Sequence, residues 1–541
     1  MAIKSLFSSA RGQKLAPANS RNEAGGLAYA FSPEHALAQY AATGTFNHTY
    51  YASGEEQLEK VLDLARNVTP EFLAKTALYS REHGLMKDMP AFLLAVLATK
   101  DTNMLARVFA RVIDNGKMLR NFVQIVRSGV TGRKSFGTAP KRLVRRWFSM
   151  RTPDAIFRQS LGSDPSLQDV IKMVRPSPKL GEGETDAVRE ALYGYLIGKD
   201  VARDKLPTLV QTFEAYKASK VFPQEGGIVA ELPNLPFEML TAFPGDAAFW
   251  TSLAKRMSFT QLRMNLNTLS RHGVFQDDAM VAFVAEKLRD PEEVRRSRVQ
   301  PFQLLSAFKA AYEEMPQAIT MALQEAMETA IENVPIALGK VVLCPDVSGS
   351  MHSPVTGFRK GASSKVRCID VAALMTATIL RRNSYADVLP FSDDVVRLPR
   401  KLNPLDSVMT NAQYLASLPS GGTACSAPLR ELNRRKVEAD LVIYVSDNMS
   451  WRDFSEAPGK GPSFLRATVM AEEWERFRER NPRAKLVLID VQPYGSTQMA
   501  ERADVLNVGG FSDAVFDTVS LFAKGELTSE HWVSVIQNVS L

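Results

Sequence analysis

Apolar residues recur at intervals of three and four along the chain from about residue 30 to residue 335. Segments such as PEFLAKTALYSREHG and MLARVFARVIDNG show this spacing, which places their apolar side chains on one face of a helix. Several helix starts share one signature, a capping side chain followed by proline, because proline lacks the N–H that would remain unbonded there. The signature occurs at Ser32-Pro33, Thr69-Pro70, Thr152-Pro153, Asp164-Pro165 and Asp290-Pro291. The pattern predicts a long stack of paired helices without a strict repeat period.

The pattern changes at about residue 336, where short apolar runs alternate with helical stretches. The runs are GKVVLCPD, ADVLPFSD, ADLVIYVSD and AKLVLIDV, and the helical stretch VRCIDVAALMTATILRR lies between the first two. Runs that are apolar throughout are typical of strands buried on both faces, and strands that alternate with helices favour a parallel sheet. We therefore predict an α-helical repeat domain at 1–335 and a doubly wound α/β domain at 336–541.

Length and composition fit a soluble protein of more than one domain. The chain has 541 residues, of which 45% are hydrophobic and 23% charged, and its apolar runs are too short to span a membrane. The N-terminus lacks the apolar segment of a secretory signal, so we expect a cytoplasmic protein that does not contact a membrane. Cys344, Cys368 and Cys425 form no CxxC pair, which argues against a zinc site or a disulfide framework.

Side chains with oxygen atoms follow the ends of the predicted strands. Asp346, Ser348 and Ser350 belong to DVSGS after the first strand, Asp447 follows the third strand, and Thr423 lies in LPSGGTACSAP. Ligands of open parallel sheets bind beyond the carboxyl ends of the strands, so we expect these side chains to converge. Carboxylate and hydroxyl oxygens suit hard cations. The five residues therefore predict a site for Mg²⁺, with Mn²⁺ and Ca²⁺ as other candidates.

Two other interpretations of DVSGS stay open at this point. Asp, Ser and Gly are common turn residues, so the segment could form a turn without binding an ion. A bound Mg²⁺ could also serve hydrolysis or phosphoryl transfer. The segment lacks the second Asp of a DxD phosphatase loop, and the sequence shows no GxSxG, GxxxxGK[ST] or GxGxxG motif. We therefore expect no catalytic residues.

A second candidate site is a strongly basic segment. Residues 101–150 contain eleven Lys or Arg against two acids, Asp101 and Asp114. The side chains expected to contact a polyanion are Arg127, Arg133, Lys134, Lys141, Arg142, Arg145 and Arg146. Like charges four residues apart destabilise a helix by about 0.2 to 0.5 kcal/mol per pair, so their accumulation favours an anionic partner over a solvated face. Trp147 and Phe148 are expected to belong to the core.

The second part of the chain resembles von Willebrand factor A domains. DVSGS with the distant Thr423 and Asp447 is similar to the metal-ion-dependent adhesion site of that family, and the resemblance covers about 336–541. The resemblance implies that the first Asp, both serines and Thr423 bind the ion directly or through water, and that Asp447 commonly binds it through water. It also implies that a carboxylate from an acidic protein ligand can complete the coordination shell.

The helical part resembles the TROVE module of the Ro ribonucleoprotein family, including its bacterial members. The matching stretches are GTFNHTYY at 44–51, ELPNLPFEML at 231–240, FTQLRMNLNTLSRHGV at 259–274 and SRVQPFQLLSAF at 297–308. The resemblance implies a ring of HEAT-like repeats that binds Y RNA on its outer surface and single-stranded ends of misfolded non-coding RNA in its central hole. It also implies an association with RNA decay, including polynucleotide phosphorylase tethered through a Y RNA.

These observations together predict a non-catalytic RNA-binding scaffold that acts in RNA quality control and turnover. One segment departs from the family, because animal members have Ser-His-Lys-Asp where this chain has Ser166-Leu167-Gln168-Asp169, so no histidine role is carried over. Two alternatives remain open. The chain could be a protein-adhesion module whose basic segment binds no RNA, or a Mg²⁺-dependent nuclease.

Overall fold

The chain divides into two compact units. The computed structural model describes residues 15–44, 46–133, 135–161, 166–179, 183–219, 232–311, 315–332, 339–358, 366–455, 466–492, 494–527 and 531–541. The sheet unit comprises Met1–Leu58 and Val334–Val535, and the helical unit comprises Glu59–Asn333 and Ile536–Leu541. The predicted division had one boundary, at residue 335. The structure adds two exchanges, because Met1–Leu58 belongs to the sheet unit and Ile536–Leu541 belongs to the helical unit.

The sheet unit is built on a parallel sheet of five strands, in the order β4-β3-β5-β6-β8. The strands are β3 (Val341–Pro345), β4 (Asp387–Val388), β5 (Leu441–Ser446), β6 (Lys485–Asp490) and β8 (Val505–Gly509). The four predicted apolar runs form β3 to β6, although only two residues of ADVLPFSD are strand. β8 was not predicted. The register pairs Pro345 with Val445 and Ser446 with Asp490, so these strands end together at one edge of the sheet.

Helices cover both faces of this sheet. They are α19 (Cys368–Arg382), α20 (Val408–Ala416), α21 (Ala427–Arg434), α22 (Arg452–Ser455), α23 (Val469–Arg480), α24 (Asp513–Lys524) and α25 (His531–Gln537). α19 contacts β3 and β5 and is buried from its start to Leu380. Alternate strand residues such as Cys344 and Tyr444 form an apolar cluster with Trp474 and Phe477 of α23. The predicted parallel α/β fold is confirmed.

The N-terminal segment completes the sheet unit through pairings that are remote in sequence. β1 (Ser20–Arg21), β2 (Leu27–Ala30) and β7 (Ser496–Thr497) form a small antiparallel sheet, in which Tyr29 is paired with Thr497. α1 (Pro33–Thr43) packs against β8. A side chain at Gly509 would overlap the amide of Gln39, so this glycine permits the close approach of α1. These contacts explain why the first residues do not belong to the helical unit.

The helical unit consists of helices that pack against their neighbours in sequence. The helices are α2 (Gly54–Asn67), whose first turn lies in the sheet unit, α3 (Pro70–Glu82), α4 (Asp88–Lys100), α5 (Thr102–Val112), α6 (Gly116–Ser128), α7 (Thr138–Ser149), α8 (Pro153–Ser160), α9 (Leu167–Val174), α10 (Ala187–Leu196), α11 (Thr208–Ser219), α12 (Phe237–Leu240), α13 (Ala247–Arg256), α14 (Phe259–Arg271), α15 (Asp278–Arg289), α16 (Pro291–Ser297), α17 (Pro301–Ala311) and α18 (Gln317–Ala330). α3, α4 and α5 contact one another, as do α14, α15 and α16. The predicted helical-repeat region is confirmed.

Four of the five predicted helix starts are present with the expected cap. Ser32, Thr69, Thr152 and Asp290 each accept a hydrogen bond from a backbone N–H in the first turn and are followed by proline. The fifth start, Asp164-Pro165, lies outside the described residues. Within the described ranges, no helix is both long enough and apolar enough to cross a membrane.

Candidate metal centre and candidate nucleic-acid interface

The Asp346–Ser350 loop is fixed where β3 ends. The amide of Asp346 donates to the carbonyl of Val445 at 3.0 Å, which continues the pairing of β3 with β5. The amide of Ser348 donates to Oδ1 of Asp346 at 2.8 Å, so the carboxylate turns the chain on itself. The amide of Gly349 donates to the carbonyl of Gly421 at 2.9 Å. The loop is therefore bonded both to β5 and to the loop that contains Thr423.

The Thr423 loop is bonded in turn to the loop that follows β5. The carbonyl of Thr423 accepts hydrogen bonds from the amides of Trp451 at 3.1 Å and Arg452 at 3.0 Å. The amide of Gly422 donates to the carboxylate of Asp393 at 2.9 Å. A side chain at Gly421 would overlap this same carboxylate in its present position, so the glycine leaves room for the bond between Asp393 and Gly422. Three loops that are far apart in sequence are thus joined at the carboxyl edge of the sheet.

These loops bring the backbones of the five residues predicted to bind an ion to one edge of the sheet. We call Asp346, Ser348, Ser350, Thr423 and Asp447 the cation cluster. Each member is buried, and no member exposes more than 4% of its surface. The hydroxyl oxygens of Ser348 and Ser350 are 3.3 Å apart. Oδ2 of Asp346 accepts a hydrogen bond from the hydroxyl of Ser446 at 2.5 Å. The cluster is therefore compact and shielded from bulk water.

The electrostatics of the cluster are unfavourable for two bare carboxylates. Burial and the neighbouring Asp447 carboxylate raise the pKa of Asp346 to about 7. Burial also raises the pKa of Asp447. Oδ1 of Asp447 accepts a hydrogen bond from the amide of Met449 at 3.1 Å, whereas its Oδ2 is buried without a hydrogen-bond partner among the described residues. A buried acceptor without a partner is costly, and a cation would satisfy it.

The donor set suits a hard divalent cation. The cluster offers two carboxylates and three hydroxyls, which are oxygen ligands of the kind that Mg²⁺, Mn²⁺ and Ca²⁺ take. In the described part of the chain, no three His, Cys, Asp or Glu side chains are grouped so that they could hold a metal ion. Any ion at this edge would therefore depend on the hydroxyls as well as the acids. The cation itself stays a prediction.

Sequence reasoning missed part of this site. Asp490 ends β6, is 2% exposed, and has a pKa raised well above its usual range by burial and by Asp447. Its Oδ1 accepts a hydrogen bond from the side chain of Asn448, the residue after Asp447. The signal was present in the sequence, because AKLVLIDV ends in an acid as the other two long strands do. Asp490 and Asn448 are thus bonded to each other beside Asp447 of the cation cluster.

The basic segment lies on the surface of the helical unit. We call Arg127, Arg133, Lys134, Lys141, Arg142, Arg145 and Arg146 the basic surface, of which Lys134 lies outside the described residues. Arg127 lies on α6, and the last four cations lie on α7, where all but the half-buried Lys141 are exposed. Arg133 is half-buried, and its guanidinium donates to the carbonyl of Ala98. The predicted cations are thus brought together on two helices, with Arg133 partly engaged by the fold.

Two clefts separate these helices from α9. A cleft of about 560 Å³ is lined by Phe136, Gly137, Thr138, Lys141, Arg142, Arg145 and Met173. A second cleft of about 330 Å³ contains Arg127 and Asp169 and shares Met173 with the first. Among the described residues, none of the cations of the basic surface forms an ion pair with an acid within 4.0 Å. Arg127 is close enough to lower the pKa of Asp169, after the hydrogen bonds from Ser166 that are the main cause. The positive charge therefore remains largely uncompensated.

α9 adds two cations that sequence reasoning did not select. Nε of Arg145 donates to the carbonyl of Val174 at 2.6 Å, which fixes the end of α9 beside α7. Lys172 and Arg175 are exposed at this end. No local pattern could have found them, because they join the surface only through the packing of two helices. Arg111, another cation of residues 101–150, does not add to the uncompensated charge, because it pairs with Glu82 at 2.9 Å.

The aromatic residues of the segment are core, as predicted. Trp147 and Phe148 are 2% and 0% exposed, and Nε1 of Trp147 donates to the carbonyl of Ile113 at 2.9 Å. The guanidinium carbon of Arg151 lies 3.6 Å from the centre of the Trp147 ring. These rings therefore anchor α7 and are not available for stacking on bases.

Fold and site together define a class of protein, a helical-repeat chain joined to a von Willebrand factor A domain with an adhesion-type loop arrangement. The family described as the Ro60 vWA domain matches residues 340–523, and the family described as the TROVE domain matches residues 238–377. The chain thus matches both the TROVE domain and the Ro60 vWA domain, and the predicted resemblance to Ro proteins is confirmed. The basic surface lies before the residues matched to the TROVE domain.

Related proteins agree with this assignment. A Deinococcus radiodurans protein called RNA-binding protein RO60 is 24% identical over 536 residues, which cover 94% of this chain and 96% of the relative. A Caenorhabditis elegans protein of the same name is 25% identical over 425 residues, which cover 74% of this chain and 62% of the relative. The crystal structure of the D. radiodurans RO (RSR) protein matches with a TM-score of 0.61 at 21% identity, covering 92% of this chain and 100% of that one. The structural likeness confirms the fold class.

Proposed function

We propose that this chain binds RNA through the basic surface and acts as a non-catalytic scaffold. The observation on which the proposal depends is the accumulation of exposed cations on α6, α7 and α9 without acidic partners within the described ranges. Phosphate groups supply the missing negative charge, and their neutralisation releases counterions from the nucleic acid. The relatives named RNA-binding proteins support RNA as the polyanion.

The finer assignment follows the family resemblance. We propose that the RNA partners are Y RNA and misfolded or single-stranded non-coding RNA, and that the protein acts in RNA quality control and turnover in the cytoplasm. A 3′-to-5′ exoribonuclease such as polynucleotide phosphorylase is the proposed protein partner. Clefts that expose both cations and the apolar Met173 suit folded RNA with unpaired nucleotides, because they offer phosphate contacts beside space for a base.

We further propose that the cation cluster holds one divalent hard cation, most suitably Mg²⁺. The bound ion would supply positive charge between two buried carboxylates. Asp346 and Asp447 would provide the charged oxygens, and the hydroxyls of Ser348, Ser350 and Thr423 would complete the set. The buried Oδ2 of Asp447 without a partner is the observation that supports this proposal most directly. An acidic protein ligand at this ion is the partner that the family resemblance implies.

We propose that the cation cluster does not cleave RNA. A general base must lie near the proton that it removes, and a two-metal mechanism needs several carboxylates around two ions. Nδ1 of the nearby His352 lies 3.0 Å from the guanidinium of Arg367, and its Nε2 is buried, where an RNA chain does not reach it. We therefore expect purified protein to leave RNA intact with and without Mg²⁺. Metal-dependent cleavage that disappears in Asp346→Ala would replace the scaffold proposal with a nuclease.

RNA binding itself is tested by what the protein retains on purification. At low salt, a protein with this surface should carry RNA, and an RNase-treated sample should bind a structured small RNA with an affinity that falls steeply as salt rises. A protein-adhesion module would carry no nucleic acid and would show no such dependence. Sequencing RNA crosslinked to the protein in cells would then identify the partners. Absence of Y-like RNA among them would contradict the finer assignment and leave general RNA binding in place.

A further inference from the structure

The parallel sheet has an open edge at β4. This strand ends the strand order of the sheet and pairs with β3. The register pairs Val388 with Leu343, and the amide of Leu389 donates to the carbonyl of Leu343 at 2.8 Å. Successive residues of a strand turn their backbone N–H and C=O groups to opposite sides, so Val388 turns both of its groups away from β3. Among the described residues, neither group has a hydrogen-bond partner.

The chain closes this edge again shortly after Val388. The amide of Val396 donates to the carbonyl of Pro390 at 2.7 Å, and Phe391 forms an antiparallel bridge with Val395. The open part of the edge is thus confined to the backbone around Val388. Unpaired donors and acceptors on an edge strand are a template for pairing with a further strand.

A cleft of about 660 Å³ lies against this open part of the edge, and we call it the edge cleft. It is lined by residues 384–389, which include β4, by residues between 398 and 404, and by Leu380 and Arg435, all of which belong to the sheet unit. Leu380, Leu389 and Leu402 are buried and form its apolar floor. The volume lies within the range of about 300 to 1,000 Å³ that is typical of ligand sites. The edge cleft is therefore large enough for a segment of another chain to lie beside Val388.

Large apolar side chains are exposed at the rim of the edge cleft. Tyr385 lines the cleft and is 100% exposed. Leu405, which follows the lining residue Pro404, is 80% exposed. Tyrosine is among the residues that contribute most to binding at protein interfaces, because its ring buries a large area with little loss of side-chain freedom. Apolar contact surface and unpaired backbone groups thus occur at the same place on the sheet unit.

The charge of the edge cleft is positive. Lys401 and Arg435 line it and are exposed, and neither forms an ion pair with an acid within 4.0 Å in the part of the chain that the structure describes. The nearby Arg400 is already paired with Asp406 at 3.7 Å. Asp387 is the acid among the lining residues, so two cations face one acid. This balance favours an acidic ligand over a basic one.

We propose that the edge cleft binds an extended, acidic segment of another protein, which adds a strand to the sheet beside β4. The backbone of the segment bonds to the N–H and C=O of Val388, its acids lie near Lys401 and Arg435, and its apolar side chains at every second position reach the leucine floor. A second copy of this chain suits the cleft less well, because two cationic clefts would then face each other. The edge cleft shares no residue with the cation cluster or the basic surface. Binding there therefore depends neither on the ion nor on RNA.

The test uses the full-length protein and a fluorescent, terminally blocked peptide of about ten residues in which valine alternates with glutamate, the period of a strand. Fluorescence anisotropy measures its affinity. A second peptide with lysine in place of glutamate should bind the wild type at least about tenfold more weakly, because attraction to two cations becomes repulsion. A third peptide, methylated on alternate backbone nitrogens, keeps the charge of the first but cannot donate hydrogen bonds along one side. It should bind at least about tenfold more weakly than the first peptide.

Charge reversal in the protein should exchange these preferences. Lys401→Glu combined with Arg435→Glu should weaken binding of the glutamate peptide about tenfold and should strengthen binding of the lysine peptide. The matched control combines Arg483→Glu with Lys524→Glu. These two cations are also exposed on the sheet unit and form no ion pair within the described ranges, but they do not line the edge cleft. The control has the same net charge and should bind both peptides as the wild type does.

Two further variants test the apolar rim and the strand edge separately. Tyr385→Ala removes a side chain that is fully exposed, so the fold should persist while the glutamate peptide binds several-fold more weakly. Val388→Pro removes the N–H that points away from β3 and leaves the bond from Leu389 to Leu343 in place. It should also weaken peptide binding. Circular dichroism checks both folds, and Tyr385→Ala carries the test if the proline variant does not fold.

Several results would overturn the proposed peptide site. Wild-type protein that does not bind the glutamate peptide, or that binds the methylated peptide equally well, would rule out strand addition. An effect of the control charge reversal as large as that of Lys401→Glu with Arg435→Glu would show that net charge alone is responsible. A dimer of the wild type that Tyr385→Ala dissociates, measured by light scattering, would assign the edge cleft to a second copy of the chain. RNA and Mg²⁺ affinities should be unchanged in the cleft variants, so those proposals stand or fall separately.

Discussion

The cation cluster and the basic surface use charge in opposite ways. The cluster places two acids and three hydroxyls in a buried space, where negative charge is costly. The basic surface spreads cations over two helices in contact with solvent, next to those at the end of α9, and most of them have no fixed partner within the described residues. A buried, convergent set selects a small ion by distance and oxygen type. An exposed, divergent set selects a polyanion by charge density, with little geometric demand.

The largest effect is expected at the cation cluster. Asp346→Ala removes a carboxylate that would face the ion, so the affinity for Mg²⁺ and Mn²⁺ should fall by more than about 100-fold, beyond the range seen when only a supporting group is lost. Calorimetry with both ions measures the change, and circular dichroism checks that the sheet unit remains folded. Equal binding by wild type and variant would show that DVSGS forms a turn without binding an ion, and the contrast between the two sites would no longer hold.

A smaller effect is expected at the basic surface, because many exposed charges share the binding. Replacing Lys141, Arg142, Arg145 and Arg146 by Ala should weaken binding of a structured RNA by about 10 to 100-fold. It should also reduce the salt slope by up to about 0.9 log unit per log unit of salt for each lost duplex-phosphate contact. Fluorescence anisotropy at several salt concentrations measures both quantities.

The matched control replaces Arg295 and Arg296, two arginines of α16 that are already paired with acids. Because their charge is compensated within the protein, their loss should change RNA affinity little. An RNA affinity that falls as much in this control as in the quadruple variant would show that net charge, and not the basic surface, determines binding.

A third effect is a pH dependence of stability that comes from Glu501. This acid is largely buried, as the acids of the cluster are, but it does not belong to the proposed ion site. Burial raises its pKa to about 8 from an ordinary value of 4.5, and the neighbouring His35 has a pKa lowered to about 3, so both are neutral at pH 7. Between pH 4.5 and 8 the folded protein keeps a proton that the unfolded chain loses. Up to about pH 6.5, His35 offsets this effect, because the unfolded chain binds a proton at His35 that the folded protein does not. The free energy of unfolding should therefore decrease as pH rises from about 6.5 to about 8, by at most about 1.4 kcal/mol per pH unit.

Glu501→Gln should remove this decrease, since the amide does not titrate and can still accept the hydrogen bond that Asn507 donates at 2.7 Å. Scanning calorimetry at pH 5.5 and pH 8.5 should show a larger gain in melting temperature at the higher pH. Mg²⁺ affinity should be unchanged. A variant that melts at the wild-type temperature at both pH values would show that Glu501 is charged in the folded protein.

The smallest effect is expected when each site is tested with the other site's ligand. The quadruple variant should bind Mg²⁺ as the wild type does, because its four residues belong to the helical unit. Asp346→Ala should keep its RNA affinity within a few-fold, because a buried cluster presents no exposed charge to a polyanion. If a folded Asp346→Ala protein lost RNA as severely as the quadruple variant, the two sites would not be independent.

The cation cluster could be predicted because its signals are local and its convergence is dictated by sheet geometry. DVSGS and the acid of YVSD each follow an apolar strand, and parallel strands bring such positions to one edge. The pairing between residues 46–53 and the segment that follows the Asp346–Ser350 loop could not be predicted in the same way. His48 forms an antiparallel bridge with Phe358, roughly 300 residues further along the chain. No periodicity or motif encodes a pairing at that distance.

The basic surface was only partly predictable for a related reason. Charge counting found the cations of α6 and α7, and the helical period correctly assigned Trp147 and Phe148 to the core. It did not find Lys172 and Arg175, which join the surface through helix packing. Likewise, the short run that forms β8 and the two-residue β4 show that strand length depends on partners more than on propensity.

The discontinuous make-up of the sheet unit has a consequence for biosynthesis. Tyr29 must pair with Thr497 in the small sheet, so β2 leaves the ribosome long before its partner strand β7 has been translated. At about 5 to 20 residues per second, this interval lasts roughly 20 to 90 s. The nascent amino-terminal segment therefore needs to stay unaggregated while the helices between the two strands form. Chaperone dependence should fall in a circular permutant that starts at residue 334 and joins the old termini through a linker, because the separated pieces of the sheet unit would then be made in succession.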